Sequence, residues 1–358
     1  MEKNAVKNIN RLQNSNSEKT IFRNGKSLKG NPHNKHVFIK FLSLIIVTCF
    51  ALSACSSAAN NKIRIGVVQF ANHKSLDNCH EGFLLGLEEA GFKDGENIEI
   101  DYQIAQADTA LANQIAGSFA SKNYNLIVGI ATPTAQAAYN AARYKNIPVI
   151  FNAVTDPIKA GLQNPDGSNI KGVTGTSDIL PIKSQLELIR TFLPQAKKLG
   201  ILYSTSEANS LSSIKTYEEL APEFGLEIVT QAITSSQDVP LAAQRLISQV
   251  DALTNLTDNT VVQNLQTILD KTNEAKIPYF GSEEEQVLNG CIAAEGLDYI
   301  ELGKITGRMA AEILSGKKAE EIPISISEES SPFYNSKVMK KLDIELPEAY
   351  KHAQDLAK

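Results

Sequence analysis

Residues Leu126 to Asn152 read LIVGIATPTAQAAYNAARYKNIPVIFN. The segment opens on an unbroken apolar run, Leu126–Ile130, the pattern of a strand covered on both faces. Thr132 follows, suited to cap a helix, and then Pro133, suited to its first turn, where a missing N–H has no partner to lose. Ala135, Ala138, Tyr139 and Ala142 fall on one helical face, and Pro148–Asn152 returns to a strand. Strand, helix and strand in so short a span is a right-handed βαβ unit, and it predicts an α/β fold on a parallel sheet.

The alternation extends in both directions. Ile63–Gln69 and Asn97–Tyr102 read as earlier strands, with helical faces at Leu76, Phe83, Leu84 and Leu87 and at Leu111, Ile115 and Phe119. Pro157 to Ser177 carries NPDGSN and GVTGTS without a period of its own and reads as hinge-like. A second array then starts. Strands are expected at Lys198–Tyr203, Leu226–Gln231, Asp251–Asn255 and Pro278–Gly281, and helices at Ser206–Phe224, Val239–Val250 and Thr260–Ala275. A strand at Cys291–Ala294, a helix through Leu302 to Ile313 and a strand at Ile322–Ile326 are expected to rejoin the first array. Two lobes follow, residues 62–172 with 291–330 and residues 173–290, and residues 331–358 are a peripheral tail.

Ligands of open α/β sheets sit at the carboxyl ends of the strands, against helix N-termini. In the first array those positions hold the segment Phe70 to Ser75, then Ala131-Thr132-Pro133-Thr134 and Val154-Thr155-Asp156-Pro157. In the second they hold the segment Ser204 to Ser210, then Leu256-Thr257-Asp258-Asn259-Thr260 and Ser282-Glu283-Glu284-Glu285. Hydroxyls on one side and carboxylates and amides on the other suit a zwitterion, with its carboxylate on helix N-termini and its ammonium on Asp258 or a Glu. Phe70 and Phe151 read equally well as pocket walls and as core. Glu283 and Glu284 could serve as acid and base, but read better as an acidic surface loop.

The chain has 358 residues, enough for two domains. Residues 1–54 hold nine Lys and Arg against two acids, so the remainder carries 26 bases and 38 acids. So acidic a body lacks the basic footprint of a nucleic-acid partner. Phe41 to Ala54 is an uncharged run behind Lys40, too short to span a bilayer and matched to the apolar core of a secretory signal. It ends in Leu52-Ser53-Ala54-Cys55, which looks like a bacterial lipobox. Residues 1–54 are therefore expected to be a signal peptide, Cys55 the lipidated residue, and 55–61 a tether to the membrane. Cys79 and Cys291 are expected as buried free thiols rather than as a disulfide framework. There is no phosphate-binding loop, nucleophile elbow or His-Glu-x-x-His motif. His73, Cys79 and His80 lack metal-ligand spacing. No catalytic residue, metal or cofactor is expected.

From about Lys62 to Ile324 the chain resembles the substrate-binding lipoproteins of tryptophan/tyrosine-type ABC importers. The resemblance rests on Leu76 with Gly82-Phe83, on Leu126-Ile127-Val128 running into Ala131-Thr132-Pro133, and on Thr155-Asp156-Pro157. It continues through Tyr203 with Ser206 to Ser210, Thr257 to Thr260, and Glu301-Leu302-Gly303. It implies a type I periplasmic-binding-protein-like fold, two doubly wound parallel-sheet lobes joined by a multi-crossing hinge. It implies no catalysis, a monomer held outside the cytoplasm, an amino-acid ligand of aromatic type, and an ABC permease and ATPase as partners. The family's cleft positions fall on Thr132, Thr155, Asp156, Asn209, Ser210, Asp258 and Asn259. Ser204-Thr205 and Leu256 depart from the family pattern beside the cleft and put the ligand's side chain in question more than the fold. A sensor lipoprotein that docks on a receptor kinase would share the same fold and pocket.

Overall fold

A computed structural model describes residues 62–327 and 329–357. The expected signal peptide, Cys55 and the tether lie outside the described residues.

The first lobe is built on a six-stranded sheet. Its strands are β1 (Ile63–Gln69), β2 (Ile98–Ile104), β3 (Leu126–Ile130), β4 (Val149–Asn152), β5 (Val173–Ser177) and β11 (Ser325–Ile326). All pair in parallel, in the order β11-β5-β4-β3-β1-β2. The Leu126–Asn152 reading is reproduced, with α3 (Thr132–Ala142) between β3 and β4, although the cap shifts by one. Ala131 is the N-cap, so Pro133 takes the second helical position. Two helix pairs cover the sheet, α2 (Thr109–Ser121) with α3, and α1 (Lys74–Glu89) with α10 (Tyr299–Leu314). In the second pair, Gly82 and Gly86 meet Gly303 and Gly307, and a Cβ at any of the four would overlap the opposing backbone. The helices therefore cross at backbone contact.

The second lobe carries a parallel sheet in the order β7-β6-β8-β9, formed by β6 (Lys198–Ser204), β7 (Glu227–Ile233), β8 (Ala252–Thr254) and β9 (Tyr279–Phe280). Its helices include α4 (Ile182–Phe192), α5 (Ala208–Leu220), α6 (Val239–Ile247), α7 (Asn259–Gln263), α8 (Leu265–Ala275) and α9 (Glu284–Leu288). The helix expected over Thr260–Ala275 is thus two, broken at Asn264.

Three expectations about the lobe boundaries are corrected. Val173–Ser177 pairs with β4, so the first lobe continues through the stretch read as hinge. The strand at Cys291 runs as β10 (Ala293–Gly296) and stays in the second lobe, where Ile292 N–H donates to Tyr279 and Gly281 N–H to Ala293. The C-terminal stretch is integral rather than peripheral. Its β12 (Ser331–Tyr334) pairs antiparallel with β10, β13 (Gln354–Asp355) extends that sheet, and Met339, after β12, and Tyr350 are buried in the second core. The chain crosses between lobes at Asp178–Pro181, at Leu297–Asp298, and between β11 and β12. Each boundary error has one cause: short polar or Gly-bearing strands such as VTGTS carry too little apolar pattern to be assigned to a sheet from sequence.

Cys79 and Cys291 are both buried and free. No helix among the described residues is long and apolar enough to cross a membrane.

Candidate functional site

The carboxyl ends of β1, β3, β4 and β5 deliver His73, Thr132, Thr155 and Asp178 to one edge of the first lobe. Opposite them the second lobe presents Asn209, Thr257, Asn259 and Glu283. Together with Leu76, Ala131, Ala153 and Tyr299 they line a narrow interlobe cavity with about 10 Å³ of free space. The lobes are closed on each other around this space. Thr155 Oγ1 and Thr257 Oγ1 are 3.0 Å apart, His73 Nε2 is 3.2 Å from Asn259 Oδ1, and Ser212 donates to Asp156 at 2.5 Å. Ser75 donates to Glu283, and Asn78 donates to Glu285.

The first-lobe wall is unusual in its backbone. Ala131 has φ 78° and ψ 157°, and Ala153 has φ 59°. Left-handed φ in a non-glycine residue costs on the order of 1–3 kcal/mol and concentrates at functional sites. At Ala131 the turn aims the N-terminus of α3 at the cavity. No side chain caps that helix, and Thr132 Oγ1 is buried without a partner. Unpaired N–H groups, a free hydroxyl and the positive end of a helix dipole make a seat for a carboxylate.

Two buried acids, Asp178 and Glu283, also line the cavity. Asp178 accepts from Thr155 Oγ1 at 3.0 Å and from Tyr299 O–H at 3.1 Å, yet burial pushes its carboxyl up to about 7. Burial also raises Glu283, and with Glu283 beside it raises Glu285 to about 7. Among the described residues, no Lys or Arg pairs with any of these three carboxylates. Buried carboxylates without a cation favour a cationic ligand group. The expectation that Glu283 lies on an acidic surface loop is corrected: it is 1% exposed, held by Ser75 across the lobe interface.

The positions expected from sequence divide into four groups. Thr132, Thr155, Asn209 and Asn259 line the cavity. Asp156 stands at its rim, tied to Ser212. Ser210 and Asp258 lie behind the second-lobe wall. Asp258 accepts from Ser204 N–H at 2.6 Å, Ser210 Oγ at 2.7 Å and Val261 N–H at 2.9 Å, and it caps α7. Its acceptors are taken, and it does not reach the cavity. Phe70 is fully buried in the first-lobe core rather than in a pocket wall, because β1 still pairs there, Phe70 N–H donating to Ile130 at 3.2 Å. The sequence reading passes over Asp178 and Tyr299. Their signal was positional: each sits where the chain crosses between lobes, directly after a strand or at a helix start.

A wider groove of about 300 Å³ lies at the far end of the first lobe, between Arg143, Lys171, Ile313 and Lys318. Two of its lysines are already paired, Lys317 with Glu312 and Lys318 with Glu321. It lacks the convergent unpartnered polar atoms that distinguish the interlobe cavity.

Residues 64–355 match the family described as ABC transporter substrate binding protein. The chain belongs to that family. It is 40% identical over 326 residues to a tyrosine-binding protein of Clostridioides difficile strain R20291, covering 86% of this chain and 93% of the relative. Among solved structures, this substrate-binding protein is similar to an ABC domain from Streptococcus pneumoniae in complex with L-Trp. That match has 33% identity and a TM-score of 0.79, and covers 82% of this chain and 99% of the other. It is also similar to the ligand-free, open structure of a substrate-binding protein with adhesive properties from Clostridium difficile. There the identity is 38% and the TM-score 0.61, covering 82% and 98%. The lower score against the open structure, at higher identity, agrees with the closed lobes seen here. The family match and these structures establish the type I periplasmic-binding-protein-like fold expected from sequence.

Proposed function

We propose that the chain binds an aromatic amino acid, tyrosine or tryptophan, between its lobes and delivers it to an ABC permease and its ATPase without chemical change. The observation that carries this reading is the polarity of the closed cavity. An uncapped helix N-terminus with Thr132 stands on one side, and the cation-free carboxylates Asp178 and Glu283 on the other. An amino acid's carboxylate and ammonium complement those two poles. The names of the relatives support the aromatic side chain. The protein works as a monomer outside the cytoplasm, its signal peptide removed and Cys55 lipidated. A fraction of the chain that leaves the membrane on Cys55→Ser substitution supports that anchor; a chain that stays membrane-bound removes it.

The test is calorimetric titration of the body from Ser56, which contains every described element, with the twenty amino acids. Saturable one-to-one binding of tyrosine or tryptophan is expected. Absence of heat with every amino acid overturns the reading.

A further inference from the structure

Three buried polar atoms on or beside the cavity wall have no partner: His73 Nδ1, Thr132 Oγ1 and Asn209 Oδ1. Thr132 belongs to the carboxylate seat. The other two can be assigned as donors or acceptors from what their far sides bind. Asn209 Nδ2 donates to the Thr257 carbonyl at 2.8 Å, so its unpartnered Oδ1 is an acceptor.

For His73 the assignment runs through two residues. Glu207 is fully buried, and as a carboxylate it only accepts. It takes Asn259 Nδ2 at 2.7 Å and Asn259 N–H at 2.9 Å, with Thr260 N–H and Oγ1 on its other oxygen at 2.9 and 2.8 Å. The Asn259 amide is thereby oriented with Oδ1 toward His73. An amide oxygen cannot donate, so the proton of the His73–Asn259 bond sits on Nε2. Burial lowers the affinity of this imidazole for a second proton, against the pull of the Asn259 bond, Glu207 and Asp77. The ring is neutral at pH 7, and its Nδ1 is a bare lone pair.

We infer that His73 Nδ1 selects a ligand whose aromatic ring carries an O–H or N–H donor, a phenol or an indole, over a plain phenyl ring. The inference rests on the aromatic amino-acid reading above and names the side-chain end of the same site. The sheet order separates the two ends. From β5 to β1 are three strand spacings, about 14 Å between backbones, so Asp178 and His73 stand at opposite limits of the cavity edge. The ammonium goes to the charged end, with Asp178 and Glu283. A neutral imidazole acceptor is left for the side chain. A phenyl ring would leave Nδ1 dry and unpaired, and a site that loses a buried hydrogen bond in this way rejects the analogue far more strongly than one that loses a methylene. Glu207 and Asn259 are positioning residues in this scheme.

The test compares tyrosine, tryptophan and phenylalanine by calorimetry, using the body from Ser56 and its His73→Phe variant. The better of tyrosine and tryptophan should exceed phenylalanine by about tenfold or more in the parent protein, and the variant should lose most of that ratio. Phenylalanine binding within about twofold of both in the parent, or an unchanged ratio in the variant, overturns the inference and leaves the amino-acid reading standing. A second measurement needs no variant. Nitrogen NMR of the ring in the unliganded protein should show a proton on Nε2 and none on Nδ1, and tyrosine or tryptophan should shift Nδ1. A protonated Nδ1, or one unmoved by saturating ligand, overturns the inference. If no aromatic amino acid binds at all, the proposed function fails instead, and the proton position in the unliganded ring still decides the tautomer.

Discussion

Replacing Asp178 by Asn tests the charged end of the cavity with little change in shape. Asn Oδ1 can still accept from Thr155, which now donates at 3.0 Å, so the first-lobe wall should hold. The loss is the charge-assisted bond to the ligand's ammonium, about 1.5–3 kcal/mol, or roughly 10- to 150-fold in affinity. The pH dependence sharpens the test. Asp178 is pushed up to about 7 by burial, so in the closed protein a growing share of it is protonated as pH falls below 7. A protonated carboxyl cannot pair with an ammonium, and binding must expel that proton. Affinity should therefore rise with pH up to about 7 and then level, by at most about tenfold per unit below it. The Asn variant should show a shallower profile, with only Glu283 left to titrate against the ligand. Calorimetry at pH 5, 6, 7 and 8 reads both proteins. The chain has no Trp, so emission from bound L-Trp gives an independent titration without background. An Asn variant within twofold of the parent, or parent affinity that rises in acid, would refute the assignment of the ammonium to Asp178.

Other outcomes follow from the same geometry. Without ligand, Asp178 and Glu285 have folded values of about 7 against ordinary values of 3.8 and 4.5. A raised folded value adds stability at low pH that is lost as pH rises through it, so a protein whose lobes close without ligand should melt at a lower temperature at pH 8 than at pH 5.5; a higher melting temperature at pH 8 contradicts the burial of these groups. Asp258→Ala should cost folding stability, about 1–3 kcal/mol from its cap and its bonds to Ser204 and Ser210, measured by urea unfolding, whereas loss of binding in a variant of parental stability would return Asp258 to the ligand. Gly303→Ala forces a methyl into the Cys79 carbonyl where α1 and α10 cross, and should lower stability by about 1–3 kcal/mol, visible as a depressed melting temperature.

The fold was legible where the apolar pattern is dense. LIVGI and VIFN bracket a helix with one small-residue face, and parallel pairing followed from that alone. It was illegible where strands are short or polar. VTGTS, at β5, has no alternation to read, and its five residues are nevertheless all buried. The wall of the site was legible to the extent that ligands meet strand ends, which placed Thr132, Thr155, Asn209 and Asn259. Which polar group at a strand end faces the cavity is decided by what its other acceptors bind. Asp258 and Glu207 look as ligand-ready in sequence as Asp178, but seven protein donors satisfy those two, and that count exists only in three dimensions. Gly82 and Gly303 show the reverse case. Both helped to carry the family resemblance, and their role is helix packing rather than ligand contact.

Closure itself places a demand on the ligand. The closed form buries Asp178, Glu283 and Glu285 without a cation among the described residues, and leaves His73 Nδ1, Thr132 Oγ1 and Asn209 Oδ1 unpaired. Each unpaired polar atom costs on the order of 1–3 kcal/mol once water is removed, and the left-handed backbone at Ala131 and Ala153 adds to the strain on the same wall. The hydrogen bonds that offset this, between Thr155 and Thr257, Ser75 and Glu283, Asn78 and Glu285, His73 and Asn259, and Ser212 and Asp156, can all be replaced by water when the lobes part. A ligand can shift such an equilibrium only by binding one state better than the other. Under the proposed function an amino acid does so, because its ammonium, its carboxylate and a ring donor each complete a group that the closed form leaves bare. The groups that make the closed protein expensive are thus the same ones that make closing specific.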